Sequence, residues 1–202
     1  MCIAIIAPAG CRVGHRHLVN SFNGNSDGAG IAFVNERGVS LSKGHMDLPS
    51  FIKAYDDLYT KFGNDNAMLL HCRIATAGAV TKSNCHPFLI KGGAMIHNGH
   101  LWSTGWESEK SDTREFAEIF YNILDYDSIT KAASSLEEII GWDKLGFLYD
   151  DGQWAKVGEW IEDEVTGVFF SNSGYMTGVG NNPNTDFNDD WDYANWWEKA
   201  QA

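Results

Sequence analysis

The sequence predicts a single α+β domain in which amphipathic helices cover a packed pair of mostly antiparallel sheets. Three observations carry this: short apolar runs of strand length, two hairpin signals, and three segments with helical periodicity. Helices with one apolar stripe bury it most simply as outer layers on packed sheets, which gives an α/β sandwich with helices outside.

The strands come in order. Ile3 to Ala7 is a short Ile-rich run that anchors the start of the chain. Ala29 to Val34 and Val39 to Ser42 flank Asn35-Glu36-Arg37-Gly38, whose Asn and Gly supply turn chemistry for a hairpin. Met68 to Arg73, Phe88 to Ile90 and Ala94 to His97 follow; Leu145 to Tyr149 and Trp154 to Val157 bracket a second turn, Asp150-Asp151-Gly152. Val168 to Ser171 and Tyr175 to Val179 are late strands. Helical spacing aligns Phe51, Tyr55, Leu58, Tyr59 and Phe62, then Phe116, Ile119, Phe120, Ile123 and Leu124. A third stripe holds Ile129, Ala132, Ala133, Leu136, Ile139 and Ile140. Asn181-Asn182-Pro183-Asn184 then separates a body, 1–180, from an acidic, aromatic tail, 181–202, expected to pack back or dock elsewhere.

Composition bounds the function. The chain has 202 residues, enough for one sizeable core, and a net charge of -12 that repels phosphate backbones and acidic membranes, so neither nucleic acid nor membrane is an expected partner. It has no apolar run of membrane-helix length and no secretory signal pattern, so a cytoplasmic protein is expected. Cys2, Cys11, Cys72 and Cys85 are too sparse for a disulfide scaffold. Cys11, His15 and His17 are close in sequence but lack a second ligand pair for zinc, and they read as exposed loop residues; no metal or other cofactor is expected.

Five features could carry chemistry. A Cys at position 2 permits removal of Met1 and leaves a thiol and a free α-amine on one residue; that amine titrates near about 7.7 to 8.0 and can activate its own sulfur. The alternative is a small buried hydrophobe. In His71-Cys72-Arg73-Ile74-Ala75-Thr76-Ala77-Gly78, Arg73 ends a strand and could fork onto a carboxylate or form a structural ion pair. His97-Asn98-Gly99 offers an oxyanion hole or a tight turn. Asp112 with Glu115 reads as a capping box, or as a receptor for an ammonium group. Cys85-His86-Pro87-Phe88 places His86 at a loop corner.

Taken in order, Met-Cys-Ile at the N-terminus, 26–32, 71–78, 85–88, 97–99 and 111–113 resemble the successive motifs of class II glutamine amidotransferases, which are N-terminal nucleophile hydrolases. Phe169 to Gly174 resembles a late strand and turn of that family, so the resemblance spans about residues 2 to 180. It implies a four-layer α/β/β/α sandwich. It also implies a glutaminase in which Cys2 attacks the glutamine side-chain amide and Asn98 and Gly99 hold the oxyanion. Arg73, with Thr76 close by, would bind the α-carboxylate and Asp112 the α-ammonium, with His86 at the edge of the site.

Ile74, Ala77 and Arg114 depart from the family pattern. Family members commonly carry an ammonia-accepting domain for which 202 residues leave no room, so the resemblance implies either a separate ammonia-accepting synthase chain as partner or simple release of ammonia and glutamate. The glutaminase-only format also resembles bacteriophage-encoded proteins, which would place it in a host bacterium's cytoplasm. The rival readings are an amidase for another linear amide and a degenerate domain that binds a partner.

Overall fold

The computed structural model describes residues 1–101 and 109–176. It is a mixed α/β protein with two antiparallel sheets. Ten strands occur among the described residues: β1 (Ile3–Ala7), β2 (Ala29–Asn35), β3 (Gly38–His45), β4 (Met68–Cys72), β5 (Phe88–Ile90), β6 (Gly93–Asn98), β7 (Lys144–Tyr149), β8 (Trp154–Val157), β9 (Ile161–Glu162) and β10 (Phe169–Phe170). The helices are α1 (His15–Gly24), α2 (Leu48–Leu58), α3 (Asp112–Ile119) and α4 (Tyr126–Ile140).

One sheet runs β3-β2-β4-β1-β10-β9 and the other β5-β6-β7-β8. β1 is paired on both sides, with β4 (Ile5 opposite Leu70) and with β10 (Ile5 opposite Phe170), and both of its faces are covered, so all five of its residues are buried. Burying one Ile or Leu side chain contributes about 1.5 to 3 kcal/mol, so this strand fixes the start of the chain and Cys2 with it.

Strand alternation divides the apolar residues. Ile3 and Ile5 of β1, Ile31 of β2 and Leu70 of β4 pack with Leu18 and Phe22 of α1 and Phe51, Ile52 and Tyr55 of α2. Their neighbours Ala4, Ile6, Ala32 and Leu69 meet Ala94, Ile96 and Leu148 of the other sheet. That sheet turns Met95, Leu145 and Phe147 toward Ala117 of α3 and Ile129 of α4. The same alternation sends Asn98 of β6 toward the space between the sheets and His97 toward α3.

Both hairpins form at the expected turns, β2–β3 closing at Asn35 opposite Gly38 and β7–β8 around 150–153. Four sequence expectations need correction. His15 and His17 lie on α1, not in a loop: His15 Nε2 is 2.8 Å from Asp56 Oδ1, and the His17 ring stands edge-on to Phe170 and Tyr175. The stripe through Leu124 is not one helix, since α3 stops at Ile119; Leu124 is buried, whereas Ile119 and Ile123 are exposed. Asp112 does not cap α3. Ser111 does, its hydroxyl accepting from the Arg114 amide at 3.3 Å, so Asp112 is the first helical residue. Tyr175 belongs to a 3-10 turn, Ser173–Tyr175, held by Asn172, rather than to a strand; the rest of that segment from 177, and the tail 181–202, lie outside the described residues.

Candidate active site

Cys2 sits immediately before β1, part-buried, with Met1 exposed beyond it. Its sulfur is 3.3 Å from both the amide nitrogen and the carbonyl oxygen of Ile74, donating to the oxygen and accepting from the nitrogen. Burial pushes the thiol above its ordinary range; the Ile74 backbone, the chain's terminal ammonium and Arg73 pull it down, and Asp112 adds to the rise. The Asn172 side chain donates to the Cys2 carbonyl at 2.8 Å, which fixes the peptide between Cys2 and Ile3.

Arg73 follows β4 and is 2 % exposed. Its guanidinium donates to the carbonyls of Ala79 at 3.0 Å, Ala77 at 2.8 Å and Gly78 at 3.4 Å, so it shapes the loop that carries Ile74 and Thr76. No carboxylate of the described residues forms a salt bridge with it. Of the five guanidinium N–H groups, the Nε–H and one Nη1–H are left by these bonds. Thr76 is exposed on the same loop. Asp27, to which sequence reasoning gave no role, ties this loop down: its carboxylate accepts from the Ala75 amide at 2.8 Å, and its own amide donates to the Arg73 carbonyl at 2.9 Å.

Asn98 ends β6, is 4 % exposed, and donates from Nδ2 to Ser171 Oγ at 2.9 Å. Gly99 follows with φ +150°, and a Cβ there would fall 2.0 Å from Asp143 Oδ1. Only glycine lets the backbone turn this close to that carboxylate. Asp143 is the second residue missed from sequence; an isolated acid before a strand gives no local signal. It accepts from the His100 amide at 3.0 Å and pairs with His97 Nε2 at 3.2 Å. Asp112 accepts from the Leu101 amide at 2.9 Å and the Thr113 amide at 2.7 Å, and its Oδ2 is 3.7 Å from His100 Nδ1.

His86, expected at the edge of the site, is instead enclosed at 4 % exposure. Its ring centroid is 3.9 Å from that of His71, and its Nδ1 accepts from the His97 amide at 3.4 Å. His71 donates from Nε2 to the His97 carbonyl at 3.0 Å, while its Nδ1 makes no hydrogen bond. Burial drives His71 down to about 3 and His86 well below the ordinary imidazole value, so both are neutral near pH 7. They serve as a polar filler that joins β4 to β6, the strands that lead into Arg73 and Asn98.

The structure therefore joins Cys2 to the Arg73–Thr76 loop through Ile74, and it joins Cys2 to Asn98 through Ser171 and β1. Asp112 enters through its charge on the thiol. Among the described residues, no group of three or more His, Cys, Asp or Glu side chains is arranged to hold a metal ion, and no helix is long and apolar enough to cross a membrane.

No family model matches this chain, and no curated protein matches it. Among solved structures, a glutamine aminotransferase class-II domain protein from Silicibacter pomeroyi is similar at 14% identity, with 84% of this chain and 87% of that chain covered and a TM-score of 0.41. At that TM-score the likeness decides neither fold family nor chemistry.

Proposed function

We propose that the chain is a glutamine amidohydrolase of the N-terminal nucleophile type, with a four-layer α/β/β/α fold and Cys2 as the nucleophile after Met1 is removed. The observation that carries this reading is the seat of Cys2. Its thiol lies against the Ile74 backbone at the mouth of a fully buried strand, within the electrostatic reach of both Arg73 and Asp112. A guanidinium and a carboxylate suit the two ends of an amino-acid zwitterion, and a ligand so held brings its side-chain amide to the sulfur in a fixed orientation. The internal bonds hold the Arg73 guanidinium in place and leave its Nε–H and one Nη1–H as single donors for a ligand carboxylate.

In the mature chain the Cys2 amine takes the thiol proton as sulfur adds to the amide carbon. The Asn98 side chain and the Gly99 amide donate to the oxyanion. The C–N bond then breaks, the amine returns the proton, and ammonia leaves a γ-glutamyl thioester. Water, activated by the same amine, adds to the thioester, and expulsion of the thiol releases glutamate. Ammonia either goes to a synthase chain or is released.

The test is intact-mass analysis of the purified protein before and after a diazoketone analogue of glutamine. The native mass lacks one Met, and the reagent adds once, at Cys2, and not to Cys2→Ala. Labelling elsewhere, or none, overturns the reading.

A further inference from the structure

Ser171 has no part in the chemistry described so far, yet its hydroxyl lies at the junction of the two sheets. It is 3 % exposed and follows β10. Its Oγ accepts from the Ala4 amide at 2.9 Å and from Asn98 Nδ2 at 2.9 Å. Its own amide donates to the Ala4 carbonyl at 2.9 Å. One residue later, Asn172 donates to the Cys2 carbonyl at 2.8 Å, with its own Oδ1 held by the Gly174 amide at 2.9 Å. The pair Ser171-Asn172 thus grips Ala4 of β1 at two points and Cys2 just before the strand at a third, and reaches across to the end of β6.

A hydroxyl oxygen has two lone pairs, and both are occupied here by N–H donors, one from the nucleophile's strand and one from Asn98. An amide NH₂ is planar, so holding one hydrogen on Ser171 sets the direction of the other. We propose that Ser171 is the positioning residue of this site: it ties the Asn98 amide to the strand end that presents Cys2, and so aims the second Nδ2 hydrogen at the carbon–oxygen bond under attack. This rests on the glutaminase reading above. Without the hydroxyl, Asn98 keeps its place on β6 but its amide is free to rotate, and the donor is no longer preorganised for the oxyanion.

The experiment is a double-mutant cycle of Ser171→Ala and Asn98→Ala, measured as glutamate release from glutamine, with iodoacetamide alkylation of Cys2 and thermal unfolding as controls. Ser171→Ala is expected to lower kcat about 10- to 100-fold with little change in KM, as loss of oxyanion preorganisation does. In the Asn98→Ala background, removing the hydroxyl is expected to change kcat by less than about twofold, because the group through which it acts is already gone. Alkylation of Cys2, which uses no oxyanion donor, is expected at the wild-type rate. A loss that multiplies with that of Asn98→Ala, or full kcat in Ser171→Ala, overturns the proposal while leaving the glutaminase reading standing. If Ser171→Ala does not fold, Ser171→Thr carries the test: it keeps the acceptor oxygen and is expected to retain kcat within about threefold, and a loss of 10-fold or more in a folded Ser171→Thr overturns the proposal. A wild-type chain that releases no glutamate and takes no label overturns the glutaminase reading and this proposal together.

Discussion

The sulfur of Cys2 and the backbone of Ile74, 72 positions apart in sequence, are joined by two contacts of 3.3 Å, one to the amide nitrogen and one to the carbonyl oxygen. That pairing places the side chain of residue 2 against a loop whose shape is set by the guanidinium of Arg73 and the carboxylate of Asp27. The consequences for activity and stability can be measured.

Asn98→Ala is expected to lower kcat for glutamine by about 10² to 10³ with a small effect on KM, the pattern for a donor used mainly in the transition state. Steady-state kinetics check this. A rise in KM at unchanged kcat would make Asn98 a ground-state binding residue instead.

Arg73→Lys keeps a positive charge but loses the fork, and a single ammonium cannot serve the carbonyls of 77–79 and a ligand carboxylate together. KM for glutamine is expected to rise about 10-fold or more, since a charge-assisted hydrogen bond contributes about 1.5 to 3 kcal/mol. An unchanged KM would remove Arg73 from substrate binding.

Much of the scaffold was legible in the sequence because its signals are local. The Ile-rich start of β1 and the turn residues at 35–38 and 150–152 identify their strands without reference to the rest of the chain. α1 was not legible: its N-cap is Gly14, which offers no side chain, its first turn has no acid, and its buried residues are only Leu18, Ser21 and Phe22. The site divides the same way. Cys2, Arg73, Asn98, Gly99 and Asp112 stand in motifs that can be read in order. The contacts that give Asp27, Asp143 and Ser171 their roles span 48, 43 and 73 positions, respectively, and exist only once the sheets are assembled. The enclosure of His86 is illegible for the same reason, because its partner His71 comes from a strand of the other sheet.

Gly99→Ala is expected to destabilise the fold by about 1 to 3 kcal/mol, the cost of a strained backbone position, because its φ is +150° and the added carbon collides with Asp143. Asp143 can move aside only by giving up the His97 and His100 contacts. Urea unfolding reads the change; an unchanged midpoint would contradict this close approach.

Acid should weaken the fold through His71 and His86. Both have folded-state values below the ordinary 6.5, His71 at about 3, so the unfolded chain binds more protons in the window from about 6.5 down to 3. The stability contribution is therefore fully present above about pH 6.5 and is lost as pH falls, by about 1.4 kcal/mol per pH unit for each neutral-held His. Urea titrations at pH 7, 6 and 5 should show this slope, and His71→Gln should flatten it. Equal slopes in the two proteins would mean that His71 is not kept neutral by burial.

Glutamine hydrolysis through Cys2 requires a covalent intermediate at residue 2. Acid-quenching the protein during turnover of glutamine and weighing it intact should reveal a γ-glutamyl adduct, released by hydroxylamine, on a chain that begins with Cys2. A chain that still carries Met1, forms no adduct and yet releases glutamate at full rate would contradict it.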